Sequence, residues 1–216
     1  AGNLYIGEET CVTSLANDGT FRWRSGKNTS ISNRGSAGSG NGEFNWVRGI
    51  TLGPDGNLYI ADQSNHRVQV LDVNGTFLRK FGQMGTAPGQ FNYPKDLNFL
   101  SDGTLIVADN SYLNFFEAEG TFLLRTNNNS AGEYFSLAAD NTIFSKQHLR
   151  DSSGNSVVQH SSVSQGAKTA FTNDGDLIES FGDSGGYLRL WKRAYRTKGL
   201  PQRNVIPQPR IHKVAQ

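Results

Sequence analysis

Asp55-Gly56-Asn57-Leu58-Tyr59-Ile60-Ala61-Asp62 returns 47 residues later as Asp102-Gly103-Thr104-Leu105-Ile106-Val107-Ala108-Asp109. Gly42-Glu43-Phe44-Asn45 returns at the same offset as Gly89-Gln90-Phe91-Asn92. Two separate motifs that share one offset mark an internal repeat. A repeat of this length, built of short strands and glycine turns, indicates the blade of a β-propeller, so the predicted fold class is all-β.

Working outward, two signals alternate along the chain. An Asp/Asn-Gly-type turn leads into an apolar strand at Gly2, Gly56, Gly103, Asn141 and Gly175. A second glycine turn followed by a strand centres on Gly19, Gly75, Gly120, Gly154 and Gly185-Gly186. Glycine supplies the positive φ of tight hairpin turns, and the β-branched and aromatic residues that follow suit a pleated, half-buried surface. The expected blades are 1–25, 44–82, 91–126, 133–161 and 167–193. The second blade should carry strands near 48–53, 57–61, 67–72 and 76–81, and the third near 96–100, 104–108, 113–117 and 121–125. The first blade opens at its second strand, and the fifth has three good strands. Five blade units, the first without its inner strand, predict an incomplete ring.

The segment 25–43 is polar, without strand alternation, and is expected to be a long loop. Residues 195–216 contain Pro201, Pro207 and Pro209, and proline removes ladder donors. That stretch is expected to be a basic tail or inter-domain linker. The charge divides the same way. Residues 1–188 carry 13 Lys/Arg against 19 Asp/Glu, whereas residues 189–216 carry 8 Lys/Arg and no acid. The single Cys11 forms no internal disulfide, and no stretch approaches the roughly 18 apolar residues that span a bilayer.

Residues 42–109 carry a more specific pattern. Ile60-Ala61-Asp62 is followed by Asn65-His66-Arg67-Val68-Gln69-Val70, then Gly75-Thr76-Phe77-Leu78-Arg79-Lys80-Phe81-Gly82, then Gly89-Gln90-Phe91-Asn92-Tyr93-Pro94. This resembles the NHL-repeat family of β-propellers. The resemblance implies a ring of six blades and three function classes: protein binding, RNA binding, and a metal-dependent lyase or lactonase. The first blade departs from the pattern, with Gly7-Glu8-Glu9 where the family has Ala-Asp. The proline-containing basic end resembles a linker in large bacterial multidomain proteins. It implies an exported setting that is extracellular, periplasmic or on the cell surface.

Candidate chemistry is sparse. None of His66, His148, His160 and His212 falls in an expected inner strand, and no pair has close metal-ligand spacing, which disfavours zinc. Asp62, Asp96 and Asp109 are the candidate calcium carboxylates. Asp62 and Arg67 flank one turn and read as a structural turn pair, whose counterpart near Asp109 has Asn114 in place of the arginine. Trp46-Val47-Arg48 and Tyr93-Pro94-Lys95 sit before inner strands at the 47-residue offset. Trp46, Arg48, Tyr93 and Lys95 are the candidate partner-binding residues, because aromatic and cationic side chains dominate binding hot spots. Continued to the next blades, the series fails at Glu133 and Ala167. That failure, with the net-acidic body, disfavours nucleic acid at this face. The expected function is a non-enzymatic scaffold module for a protein or peptide partner, part of a larger protein, with no cofactor. A metal-dependent propeller enzyme and polyanion binding through the basic tail are the alternatives.

Overall fold

The computed structural model describes residues 2–30, 35–127, 135–145, 148–159, 168–171, 177–181, 187–191 and 210–213. Every sheet in it is antiparallel and runs up and down in sequence order, as blades do. Two compact units divide the chain, residues 1–133 and 134–216.

The first unit holds three sheets. Strands β1 (Leu4–Glu8), β2 (Cys11–Leu15) and β3 (Phe21–Gly26) form a three-stranded blade. Strands β4 (Val47–Leu52), β5 (Leu58–Asp62), β6 (Arg67–Leu71) and β7 (Phe77–Phe81) form the second. Strands β8 (Asp96–Phe99), β9 (Leu105–Ala108), β10 (Tyr112–Phe116) and β11 (Phe122–Asn127) form the third. The observed limits fall within two residues of those read from the repeat. Segment 27–43 holds no strand among its described residues, only an isolated bridge between Lys27 and Ser36.

Alternation builds the core. All five residues of β5 are buried, because a strand between two neighbouring blades is covered on both faces. Leu58 and Ile60 pack with Val12, Phe44, Val47 and Leu71 toward the first blade. Tyr59 and Ala61 pack with Val68, Val70, Phe91, Leu97, Leu105, Val107 and Phe116 toward the third. Each fully buried large apolar side chain contributes about 1.5–3 kcal/mol. The Tyr59 hydroxyl lies 3.0 Å from the Asp55 carboxylate and 3.1 Å from the Ala118 carbonyl, and accepts from Arg79 Nη2 at 2.6 Å. This latch joins the second blade to a turn of the third. Inner strands β4 and β8 meet at Gly49, where a Cβ would lie 3.0 Å from Asp96 Cα.

The second unit holds two four-stranded sheets. One comprises β12 (Phe135–Leu137), β13 (Ile143–Ser145), β14 (His148–Arg150) and β15 (Ser156–Gln159). The other comprises β16 (Lys168–Phe171), β17 (Leu177–Phe181), β18 (Tyr187–Trp191) and β19 (Arg210–Lys213). A fourth strand stands where three were expected in the fifth blade, and it is formed by residues 210–213 of the stretch 195–216 expected to be a tail; residues 195–209 and 214–216 lie outside the described residues. Strand β19 pairs with β18, Leu188 opposite His212 and Arg189 opposite Ile211. All three prolines of that stretch precede β19, whose own residues keep their N–H donors. No helix among the described residues is long and apolar enough to cross a membrane.

Register also corrects one assigned equivalence. Gln69 faces Ile60 across β5–β6, and Asn114 faces the matching Val107 across β9–β10. Asn114 is therefore the counterpart of Gln69, not of Arg67, whose place is taken by Tyr112. The cause is the turn after β5, which is two residues longer and holds the 3-10 turn Gln63–Asn65. Counting at a constant 47-residue offset steps across that insertion. The offset between Gly75 and Gly120 is already 45.

Candidate functional site: two aromatic turns at the inner strands

The turns that precede β4 and β8 are twins. Gly38 N–H donates to Phe44 O at 3.0 Å, and Gly85 N–H to Phe91 O at 3.1 Å. Gly40 N–H donates to Glu43 Oε2 at 2.9 Å, and Ala87 N–H to Gln90 Oε1 at 3.0 Å. Phe44 and Phe91 are fully buried plugs. The next residue is tied to the aspartate that follows the second strand. Asn45 N–H donates to Asp62 Oδ1 at 2.8 Å, and Asn92 N–H to Asp109 Oδ2 at 3.1 Å.

With the plug buried and the asparagine tied, the chain must reverse sharply to enter the inner strand. Trp46 and Tyr93 make that reversal in the left-handed region, at φ 67° and 58°. Each is held by the preceding blade. Trp46 N–H donates to Glu9 O at 2.6 Å, and Tyr93 N–H donates to His66 Nδ1 at 3.2 Å. For a bulky L-residue this conformation costs about 1–2 kcal/mol. The result is two large aromatic side chains pointed outward, 45% and 38% exposed.

The cations differ between the two turns. The Arg48 guanidinium lies 5.8 Å from the Trp46 ring centroid, and its Nε donates to Gln63 Oε1 at 2.8 Å. Arg48 is exposed. Lys95 is buried, and the ring beside Tyr93 is His66, at 4.3 Å between centroids. The structure thus joins Trp46 to Arg48, and Tyr93 to His66. Equivalent sequence positions have unequal surroundings because the longer turn after β5 projects His66 toward the third blade. Glu133 and Ala167 lie outside the described residues, as does His160.

Asp62 and Arg67 lie behind the first turn. Arg67 Nε donates to Asp62 Oδ2 at 2.7 Å, and both side chains are buried. Asp62 also accepts from Asn65 Nδ2 at 2.9 Å and Gln69 Nε2 at 3.1 Å. The rest of the guanidinium donates to the carbonyls of Ser39, Gly40 and Glu43. Burial pushes the Asp62 carboxyl above its ordinary value, opposed by the Asn45 N–H, Asn65 and Arg67. Asp109 accepts instead from the N–H groups of Asn92, Ser111 and Tyr112 and from Asn114 Nδ2. Asp62 and Asp109 thus give their oxygens to N–H donors, whereas a calcium site gathers oxygens around a cation. Asp96 accepts from the N–H of Leu97. Among the described residues, no three His, Cys, Asp or Glu side chains group as metal ligands would. His148 and His212 lie in β14 and β19.

Two contributors escaped the sequence reading. Gln69 accepts Gly42 N–H at 3.0 Å and donates to Glu43 O at 2.7 Å, pinning the loop to the blade. A glutamine between the two valines of an apolar strand, Val68 and Val70, was its only signal in the sequence. His66 read as part of the repeat motif, and only the contact with the next blade reveals its tie to Tyr93.

The family model for the NHL repeat matches residues 44–71. RING finger protein nhl-1 of Caenorhabditis elegans is 47% identical over 47 residues, 22% of this chain and 5% of that protein. Among solved structures, virginiamycin B lyase of Staphylococcus aureus superposes with a TM-score of 0.67 at 11% identity, over 99% of this chain and 67% of that one. Hydrazine synthase of Kuenenia stuttgartiensis gives 0.65 at 12% identity, over 88% of this chain and 60% of that one. These likenesses concern the fold. Residues 44–71 are thus an NHL repeat, carried in a protein of β-propeller fold.

Proposed function

We propose that this chain is a non-enzymatic binding module of a larger protein, and that it presents the turns before β4 and β8 to a protein or peptide partner. One observation carries the reading. Two repeat-related aromatic residues, Trp46 and Tyr93, are held in left-handed backbone and remain substantially exposed. A strained conformation persists only where its surroundings enforce it, and here it directs apolar rings outward. Burying such a ring under a partner recovers about 1.5–3 kcal/mol. Arg48 adds a cation beside the Trp46 ring, a combination common in binding hot spots. NHL-repeat propellers commonly mediate protein interactions, which supports the same class of partner.

The test is selection of a random dodecapeptide phage library on the intact chain. Enriched peptides should bind the native chain and lose at least tenfold in affinity to the W46A/Y93A variant, whose fold is checked by circular dichroism. Peptides that bind the variant equally well would place recognition on another surface. A library that yields no enriched sequence would count against a peptide-binding module.

A further inference from the structure

His66 Nδ1 faces two groups at nearly the same distance. Tyr93 N–H points to it at 3.2 Å, and Phe91 O lies 3.3 Å away. Neutral imidazole with Nδ1 unprotonated accepts from Tyr93 and gives nothing to Phe91 O, whose donor is then Gly85 N–H alone. Once protonated, Nδ1 carries a hydrogen, loses its acceptor role toward Tyr93, and donates to Phe91 O instead. One proton thus exchanges the hydrogen bond that fixes Tyr93 for a second one on Phe91 O.

We propose that His66 is a proton-controlled hold on Tyr93. In the neutral state it secures the left-handed turn and the outward ring. In the charged state it releases the Tyr93 amide. The inference rests on the proposed binding role of that turn for its functional meaning, though not for its structural content. His66 itself adopts φ 53° at the end of the 3-10 turn, with its N–H on Gln63 O, and is 93% buried. Its ring therefore has little freedom to find another partner.

The charged and titratable groups around it leave the exchange to Nδ1. On its own turn, Asp62 and Arg67 are closed on each other at 2.7 Å. Gly82–Lys95, which packs against it, contains no carboxylate, and Lys95 is its one charged residue. Tyr93 lies against the ring, Asp109 binds Asn92 N–H, and Arg48 reaches this turn through Gln63. The first blade provides an internal control, since Trp46 N–H is held by Glu9 O, a carbonyl that does not titrate.

The test is an NMR titration of the intact, isotope-labelled chain between about pH 8 and 5, the interval in which histidines change charge. The ring signals of His66 and the amides of Tyr93 and Trp46 are followed together. The Tyr93 amide is expected to shift along the His66 curve, and its protection factor to fall about three- to tenfold. The Trp46 amide should not follow. In the H66Q variant, where the side-chain carbonyl can accept without titrating, the Tyr93 shift should vanish. A Tyr93 amide that stays still while His66 titrates overturns the proposal. So does a His66 ring that fails to titrate while the protein remains folded. The wild-type titration decides the matter even if H66Q does not fold. No partner is needed, so failure of peptide selection and failure of this coupling are separate results.

Discussion

Replacing Arg67 with methionine keeps an apolar stem of similar reach and removes the guanidinium. In the native protein that group donates to Asp62 and to the carbonyls of Ser39, Gly40 and Glu43. Asp62 would remain fully buried, with Asn45, Asn65 and Gln69 as donors but without its counter-charge. Breaking a buried pair from one side costs about 3–5 kcal/mol, much of it the penalty of the stranded charge. With a urea m-value of about 2 kcal/mol/M, the unfolding midpoint should fall by about 1.5–2.5 M. Tryptophan fluorescence is a suitable assay, because Trp23 Nε1 is bonded to Val73 O within the same unit. The sign of the pH dependence follows from Asp62. Its folded value is raised, so its proton is held more tightly in the fold, and its linkage contribution is lost as pH rises through that value. In R67M the counter-charge is gone and the carboxyl rises further. The loss of stability should then be smaller near pH 4, where Asp62 is protonated more readily, than at pH 7. A loss below about 1 kcal/mol at pH 7, or one that grows toward pH 4, would refute the assignment of Arg67 as the charge partner that holds the loop.

Three further outcomes are expected. The Cys11 thiol is buried, bonds to Glu8 Oε2 at 3.0 Å, and is pushed up to about 12 by burial and by that carboxylate. Native Cys11 should therefore react with iodoacetamide at pH 8 about a thousandfold more slowly than in the urea-unfolded chain, as read by mass spectrometry; comparable rates would contradict its burial. Gly49→Ala would set a Cβ 3.0 Å from Asp96 Cα and 3.2 Å from Leu97 N, and should destabilise by about 1–3 kcal/mol in urea unfolding; a neutral result would show that the inner strands are not packed so closely. Asn114 Oδ1 is buried without a hydrogen-bond partner, while its counterpart Gln69 reaches Gly42 N–H. Asn114→Gln should extend the acceptor toward the Gly89 turn and raise stability by about 0.5–1.5 kcal/mol in the same assay, whereas a loss would mean the site has no room for the added methylene.

Most of the fold was legible because the information is local and repeated. Glycine turns need positive φ, and β-branched and aromatic residues between them need a half-buried strand. The recurrence of Asp55–Asp62 as Asp102–Asp109 therefore disclosed blades and their strands to within two residues. Proline also reads locally, and there it misled. The prolines at 201, 207 and 209 say nothing of Arg210–Lys213, which pairs with β18 through backbone bonds that leave little mark in the side chains. The candidate site was legible only in part. A constant offset located Trp46 and Tyr93, and the Asp62–Arg67 spacing suggested a pair across one turn.

By itself, then, the amino-acid order determined the all-β class, the blade repeat, the turn positions and the aromatic pair. Tertiary structure decided which surroundings each repeated residue meets. Two extra residues after β5 turn His66 onto Tyr93 and make Asn114 the counterpart of Gln69. At equivalent positions before the inner strands, Arg48 is exposed and Lys95 is buried. The physical reason is that strand and turn preferences arise within a few residues. The hydrogen-bond partner of a side chain in one blade is set by the distance to the next blade, and that distance is a property of packing.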